Sequence, residues 1–540
     1  MRLGFVNMSL MKGGNYGQVR LEQRAADRPV VRRLGVCSRA RGAAESRVIH
    51  VFFLLAVAAW VNADDCPQWG EPFSRNMISS EKQLPDSFDP KTGRNVKWVA
   101  DLGSETHATP VIAGGRVFIG TNNGKPRDPR QTGDRGVLMC FDEEGGGFQW
   151  QLVVPKITNS VYWDWTGGGI CSPPTVEGGR AYVVSSRGEV MCLDVNGMAD
   201  GNDGPFTEEG RHMAPAGLAA MEASPADADI LWLFDLLKEC GIRQHDAAHS
   251  SILMDGRFLY VNTSNGVDDT HRKIASPDAP CLVVIDKTTG RLVARDDEHI
   301  GPNIFHCTWS SPALGVISGR KLIFYAGPNG IVYAFEPVME VTDAVQKLKK
   351  VWWFDIDPAA PKENVHRYTA NRTEGPSTIH AMPVVFGNRV YVAGGGDIWW
   401  GKRQSWLTCI DATGAGDVTA TAERWSFSLA RHAMSTPSIW RGMAFIADSG
   451  HKVHCLDAET GTACWTHDFQ GEMWSSTLVA DGKVFVGSRR GEFIVLAASK
   501  EKRVLSSIEL DGPISGTPVA ANGTLYVVTQ KHLYALKKSE

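Results

Sequence analysis

CLDAETGTACW, residues 455–465, is the stretch on which the fold of this chain turns. Cys455 stands two before Asp457, a Thr460-Gly461 pair follows, and Trp465 closes the run. Glycine adopts the positive φ of a tight hairpin turn at no steric cost. An aspartate at the start of such a turn accepts its backbone N–H groups. A tryptophan on the strand leaving the turn brings a large surface that must be buried. The stretch therefore reads as a hairpin with an anchor on its second strand. A metal site would need ligands there, and a nucleotide loop more glycines.

The pattern recurs. Two apolar runs flank a glycine turn in TPVIAGGRVFIG (109–120), PPTVEGGRAYVV (173–184), SSILMDGRFLYV (250–261), SPALGVISGRKLIFYA (311–326), MPVVFGNRVYVA (382–393), TPSIWRGMAFIA (436–447), STLVADGKVFVG (476–487) and TPVAANGTLYVV (517–528). Gly442, Gly482 and Gly523 follow one another at about 40 residues, room for four strands per unit. A third strand ends near an acid, as in VLMCFD (137–142) and KVHCLD (452–457), and a fourth often carries tryptophan, as in FQW (148–150) and VWWFD (351–355). Repeated four-stranded antiparallel units that must hide their edges predict an all-β, eight-bladed propeller. With strands lettered A to D from the axis outward, Trp150, Trp353, Trp425 and Trp465 are expected on outer strands, packed between blades. The last unit, HLYALKKSE, has no strand D. NVKWVADL (95–102), with Trp98, is expected to supply it and close the ring.

The motif Cys/Ala-x-Asp-x-x-Thr-Gly-x-x-x-Trp resembles the tryptophan-docking repeat of the PQQ-like quinoprotein β-propellers. Residues 455–465 match at every defined position. CFDEEGGGFQW (140–150) has Gly145 for Thr, and VIDKTTGRLVA (284–294) has Ala294 for Trp. The opening DCPQWGEPFSRN (65–76) is similar to the start of exported members of that family. The alignment also explains most cysteines: Cys140, Cys192, Cys409 and Cys455 share one small, buried site, where unit four has Ala334. Cys464 is different. If residues 458–461 form a four-residue loop, it faces Cys455 at a distance that permits a disulfide.

Composition bounds the rest. The 540 residues carry a formal net charge of −4, which argues against a nucleic-acid partner. Residues 1–47 are basic, and VFFLLAVAAWV (51–61) is apolar but shorter than the roughly 20 residues of a membrane span. Val61 and Ala63 give small residues at −3 and −1. Residues 1–63 are therefore expected to be a signal peptide with a long basic n-region, cut after Ala63, and 64–540 a single propeller domain. The expected product is a periplasmic or extracellular monomer without a membrane span.

Chemistry is expected where the D–A connections converge on the channel mouth. His107, His249, Trp309, His380, His432 and Trp474 come from six units and are predicted to crowd one funnel. His245 and His306 lie in the same connections. Long B–C loops add Arg127, Arg135, Arg272, Trp399, Trp400 and Arg403 as a rim. Cationic donors and aromatic rings suit a polar small molecule, a saccharide or an envelope-protein partner. No metal site is expected, since only His245 and His249 show paired spacing; DVNGMADGNDG (194–204) has Met198 where a calcium loop wants an acid. The resemblance implies two activities. One is scaffolding without a cofactor, as in the propeller of an outer-membrane assembly machine. The alternative is PQQ-dependent alcohol or sugar oxidation with calcium. For that activity Trp165, Trp309 or Trp474 is a stacking candidate and Asp164, Asp246, Asp397 or a channel histidine a base candidate, although the vicinal cysteine pair of such dehydrogenases is missing.

Overall fold

The computed structural model describes residues 64–158 and 160–539; the expected signal segment and its cleavage site lie outside them. Eight antiparallel sheets follow one another around an axis. Blade 1 is Val111–Ala113, Arg116–Asn122, Arg135–Asp142 and Phe148–Pro155, and blade 2 is Thr175–Glu177, Arg180–Val184, Glu189–Asp194 and Ile230–Asp235. Blade 6, which holds the opening stretch, is Ser438–Trp440, Met443–Asp448, Lys452–Asp457 and Ala463–Asp468. Strands B and C are apolar on both faces because blades cover both sides; Val117, Phe118 and Ile119 are all fully buried. Outer strands are half wet, as in Val504–Glu509.

Blade 8 consists of Val519–Ala521, Thr524–Val528 and His532–Leu536, completed by Val96–Asp101, which pairs antiparallel with His532–Leu536. This closure removes the last open edge.

The hairpin of residues 455–465 works as its residue types dictate. Asp457 Oδ1 accepts from the N–H groups of Glu459 and Thr460, at 3.0 and 3.1 Å. Gly461 turns at φ +71°. It also makes room for a neighbour: a Cβ there would sit 2.5 Å from the Trp425 ring of the preceding blade. The Trp425 indole N–H donates to the Ala458 carbonyl at 3.1 Å. Docking tryptophans thus lie on the next blade's turn and bond the residue after its acid, except that blade 7 has Ala497 in the acid's place and offers Ser499, two residues on. Trp98 donates to Glu143, Trp150 to Val195, Trp232 to Lys287 and Trp465 to Ser499. In blade 4 (Ala313–Ile317, Arg320–Ala326, Ile331–Phe335 and Lys350–Asp355) the docking residue is Trp352, fully buried and bonded to Ala412 at 3.0 Å, not Trp353 as expected. Trp353 alternates to the other face and lies under the Lys350 ammonium.

The small residue of strand C stands opposite the docking ring: Cys140 pairs with Trp150, Cys192 with Trp232, Cys409 with Trp425 and Cys455 with Trp465. In blade 6 the register shifts after Cys455, so Leu456 opposes Ala463 and Cys464 falls in the bulge. The disulfide that this spacing permits is not formed, and Cys455 and Cys464 are both free thiols.

The C–D insertions reach back to the preceding blade. Gln346–Lys347 adds a parallel fifth strand to blade 3, and Gly416–Asp417 adds one to blade 4. In the insertion at 197–230, Asp227 pairs with Gln151 of blade 1.

Residues 66–80 form an axle. The chain bonds Ile112 through Cys66, Val176 through Pro67, Leu314 through Phe73, Val385 through Ser74 and Val479 through Met77. Asn76 bonds Ile439, and the Ser79 hydroxyl donates to Ala520. Arg75 is fully buried and donates to Pro312 O, Trp69 O and Ser251 O and Oγ at 2.8 to 3.0 Å. These contacts reach all eight blades. The innermost strands would otherwise present unpaired backbone groups to the channel.

Candidate functional site: a histidine and tryptophan funnel on the channel axis

Hydroxyls set the floor of the funnel. Just before strand A of blades 3, 4, 6 and 7 runs a Ser/Thr pair, with single hydroxyls such as Thr109 and Thr517 in blades 1 and 8, and these bond from blade to blade. Ser251 N–H donates to Ser311 Oγ, Met382 N–H to Thr436 Oγ1, Thr436 N–H to Ser476 Oγ, and Thr517 N–H to Thr109 Oγ1. The residues immediately upstream are thereby fixed around the axis, and these carry the rings.

His107, Trp474, Trp399, Trp309 and His249 form a continuous chain of rings, with neighbouring centroids 5.6 to 6.4 Å apart. Trp309 also meets His380 at 5.5 Å, and His380 meets His432 at 4.9 Å. All six predicted D–A residues therefore stand together, although His107 and Trp474 are far apart in sequence. Trp399 is 38% exposed and Trp400 packs on His271 at 4.6 Å.

Asp397 organises this group. It is fully buried. Its Oδ1 accepts from the N–H groups of Trp399 and Trp400 at 2.9 and 2.7 Å, which fixes the turn carrying both indoles. Its Oδ2 lies 3.0 Å from His306 Nδ1 and 3.3 Å from His380 Nε2. Burial alone would raise the Asp397 carboxyl, but His306 and His380 hold it well below the ordinary carboxylate range. Burial pushes His432 down to about 3 and His249 to about 4, so both are neutral at physiological pH.

A second constellation adjoins it. His245 from the connection into blade 3, His271 from the B–C loop of blade 3 and His306 from the connection into blade 4 meet with ring centroids 4.6 to 5.4 Å apart. His245 and His249 do not act as a pair: their segment bends at Asp246, with φ +60°, instead of forming a helix, and His249 turns to Trp69 and Trp309. His271 carried no spacing signal, since its partners come from other connections. Asp246 is half-buried beside them and raised to about 6 by burial, against the pull of His306.

The arginines divide. Arg127 lies 4.5 Å from the Phe148 ring and donates to the Asp101 carbonyl, against the outer strand of blade 1. Arg135 is buried and donates to the Thr132 and Met213 carbonyls, clamping the 197–230 insertion. Neither guanidinium is free to rim the opening. Arg272 and Arg403 are exposed on the loops beside His271 and Trp400. Arg489, which no sequence pattern singled out, covers the Trp474 face at 3.9 Å. Asp164 is taken by Lys156 at 2.7 Å, and Trp165 is exposed. The acids of 194–204 gather no ligand set among the described residues: Asp194 pairs with Arg180, and Asp200 is bonded by Asn196.

Fold and site together define a tryptophan-docked, eight-bladed propeller with a cluster of histidine and tryptophan rings contributed by several blades. The fold is an eight-bladed β-propeller, and the C-terminal part of the chain is similar to the PQQ-like repeat family. The family model described as outer membrane protein assembly factor BamB matches residues 403–504 and 450–539. Quinohemoprotein alcohol dehydrogenase of Comamonas testosteroni is 26% identical over 136 residues, covering 22% of this chain and 19% of that protein. The matched part thus spans about a fifth of that curated relative. Among solved structures, BamB of Moraxella catarrhalis is 11% identical, with 82% of this chain and 97% of that one covered at a TM-score of 0.49. The quinohemoprotein alcohol dehydrogenase structure from Comamonas testosteroni is 13% identical, with 88% and 81% covered at 0.44.

Trp309, Trp399 and Trp474 do not form a two-sided sandwich around a flat PQQ ring. Trp309, Trp399 and Trp474 meet nearly edge to face, with interplanar angles of 86° and 88°, so they leave no parallel slot for a flat quinone. The two carboxylates at hand, Asp246 and Asp397, face imidazoles.

Proposed function

We propose that this chain is an exported binding or scaffold propeller whose ligand, a polar, anionic or sugar-like group of a small molecule or an envelope-protein partner, seats on the histidine and tryptophan funnel. The convergence of His107, His249, Trp309, His380, His432 and Trp474 on one channel mouth carries this reading. Exposed Trp399 offers a stacking face, and Arg272, Arg403 and Arg489 supply cationic donors around it. Export is supported by the basic 1–47 segment and the apolar run before Ala63. No helix among the described residues is long and apolar enough to cross a membrane.

The test is tryptophan fluorescence during titration with a panel of acidic saccharides and dicarboxylates. Wild type is expected to give a saturable change, and the Trp399→Ala, Trp474→Ala double variant to lose it while melting within a few degrees of wild type. Equal binding by that variant, or no response to any compound, overturns the reading. The second reading, a PQQ-dependent oxidoreductase, is supported by the 26% identity to a quinohemoprotein alcohol dehydrogenase. A quinone absorbance band after incubation with PQQ and calcium is its signature.

A further inference from the structure

Three imidazole nitrogens point at one another in the funnel. His245 Nε2 and His271 Nε2 are 3.0 Å apart. One ligand nitrogen from each of His245, His271 and His306 lies within 4.8 Å of the other two. Asp246 closes one side, with Oδ1 3.5 Å from His245 Nε2 and Oδ2 3.6 Å from His306 Nε2. A tetrahedral ion with Zn–N arms of about 2.0–2.1 Å has ligand-to-ligand edges of about 3.3–3.4 Å. The observed separations bracket that length.

The tautomers are also set. His245 Nδ1 lies 2.8 Å from the Val267 carbonyl, which can only accept, so Nδ1 carries the proton and Nε2 presents a lone pair. His306 Nδ1 is committed to Asp397 at 3.0 Å, the carboxylate–histidine arrangement that orients metal ligands. His306 is 2% exposed, yet its Nε2 has no hydrogen-bond partner, and neither has Asp246 Oδ1. Buried polar atoms left unpaired are costly and call for a missing partner. Charge agrees: Asp246 and Asp397 form no ion pair with Lys or Arg among the described residues, and a divalent ion balances the two carboxylates. The alternative group of His306, Cys307 and His380 is weaker, because His306 Nδ1 and His380 Nε2 are already spent on Asp397.

We infer that His245, His271 and His306, with Asp246 as fourth ligand, bind one zinc-class divalent ion beside the tryptophan cluster. Imidazole with one carboxylate suits zinc and its neighbours rather than calcium or magnesium. Asp246 has a side chain 17% exposed and gives the ion a route from solvent. The inference deepens the binding reading, on which it rests only in making the ion part of that site's wall.

The experiment is zinc titration of the full chain after chelator treatment, followed by metal analysis of the dialysed protein. Cobalt loading supplies a ligand-field spectrum, and copper loading an electron paramagnetic resonance spectrum of the wild type. One zinc per chain, a four-coordinate cobalt band and copper hyperfine coupling to imidazole nitrogen are expected. His271→Ala is expected to weaken zinc at least ten-fold, and His467→Ala, on the outer strand of blade 6, to leave it unchanged. The copper spectrum needs no variant, so a misfolded His271→Ala leaves the inference testable. No retained zinc, copper without nitrogen coupling, or a folded His271→Ala that binds as wild type overturns it. Zinc binding without any saccharide or dicarboxylate response keeps the metal site and sinks the ligand reading; the reverse result sinks only the metal site.

Discussion

Gly461 is where residue chemistry is most exposed to test. It adopts φ +71° and carries the Trp425 ring where a Cβ would be, at 2.5 Å. Gly461→Ala therefore combines backbone strain of about 1 kcal/mol with an overpacking cost of about 1–3 kcal/mol. Denaturant unfolding should show a loss of about 2–4 kcal/mol, whereas Gly482→Ala, whose Cβ meets nothing within 4 Å, should lose only the strain. Asp457 adds a pH signature. Lys500, and then the turn N–H groups, hold its carboxyl down at about 2. A depressed folded pKa stabilises the fold above the unfolded value near 4, and that contribution is lost as pH falls from about 4 through about 2. Wild type minus Asp457→Asn should show this difference in melting temperature, reduced by salt because the pair is at the surface.

At the scale of the element, the outer strand is defined by which of its side chains faces the next blade. Trp352 and Trp353 are adjacent, and a strand sends neighbours to opposite faces. Trp352→Ala removes a fully buried indole and its bond to Ala412, so calorimetry should show a loss of about 3–5 kcal/mol. Trp353→Ala should cost less than about half of that, since its ring is only partly buried under Lys350. Equal effects would mean that docking is not what holds blade 4 to blade 5. The choice between the two is not legible in sequence for a plain reason: VWWFD offers two tryptophans, and the register that selects one is set by a bulge at Val351, between the Ala334–Trp352 and Phe335–Lys350 pairs.

For the whole molecule, the axle decides how the ring is held. Arg75 donates to three carbonyls and a hydroxyl with no carboxylate nearby, so its contribution is hydrogen bonding to groups that have no other partner. Arg75→Met leaves the Pro312, Trp69 and Ser251 oxygens buried and unpaired, at about 1–3 kcal/mol each before relaxation. The melting temperature should fall by several degrees as one cooperative transition. A separate early transition would show that the axle folds independently of the blades.

The blades and their closure are legible along the chain, because each blade is written locally. A glycine turn, an acid two after a small residue and a following tryptophan recur at short range. The missing last strand found its match in residues 95–102 for the same reason. Local writing also placed the D–A histidines and tryptophans at one mouth once the ring was assumed. Which of them touch, and what they can bind, follows from the folded ring and from nothing shorter. His245, His271, His306 and Asp397 come from connections of blades three to five, so no spacing records their meeting. Arg127 and Arg135 had the right composition for a rim but are held by rings and carbonyls of their own and neighbouring blades. A contact made across blades depends on the radius and register of the closed ring, and these are properties of all eight sheets together.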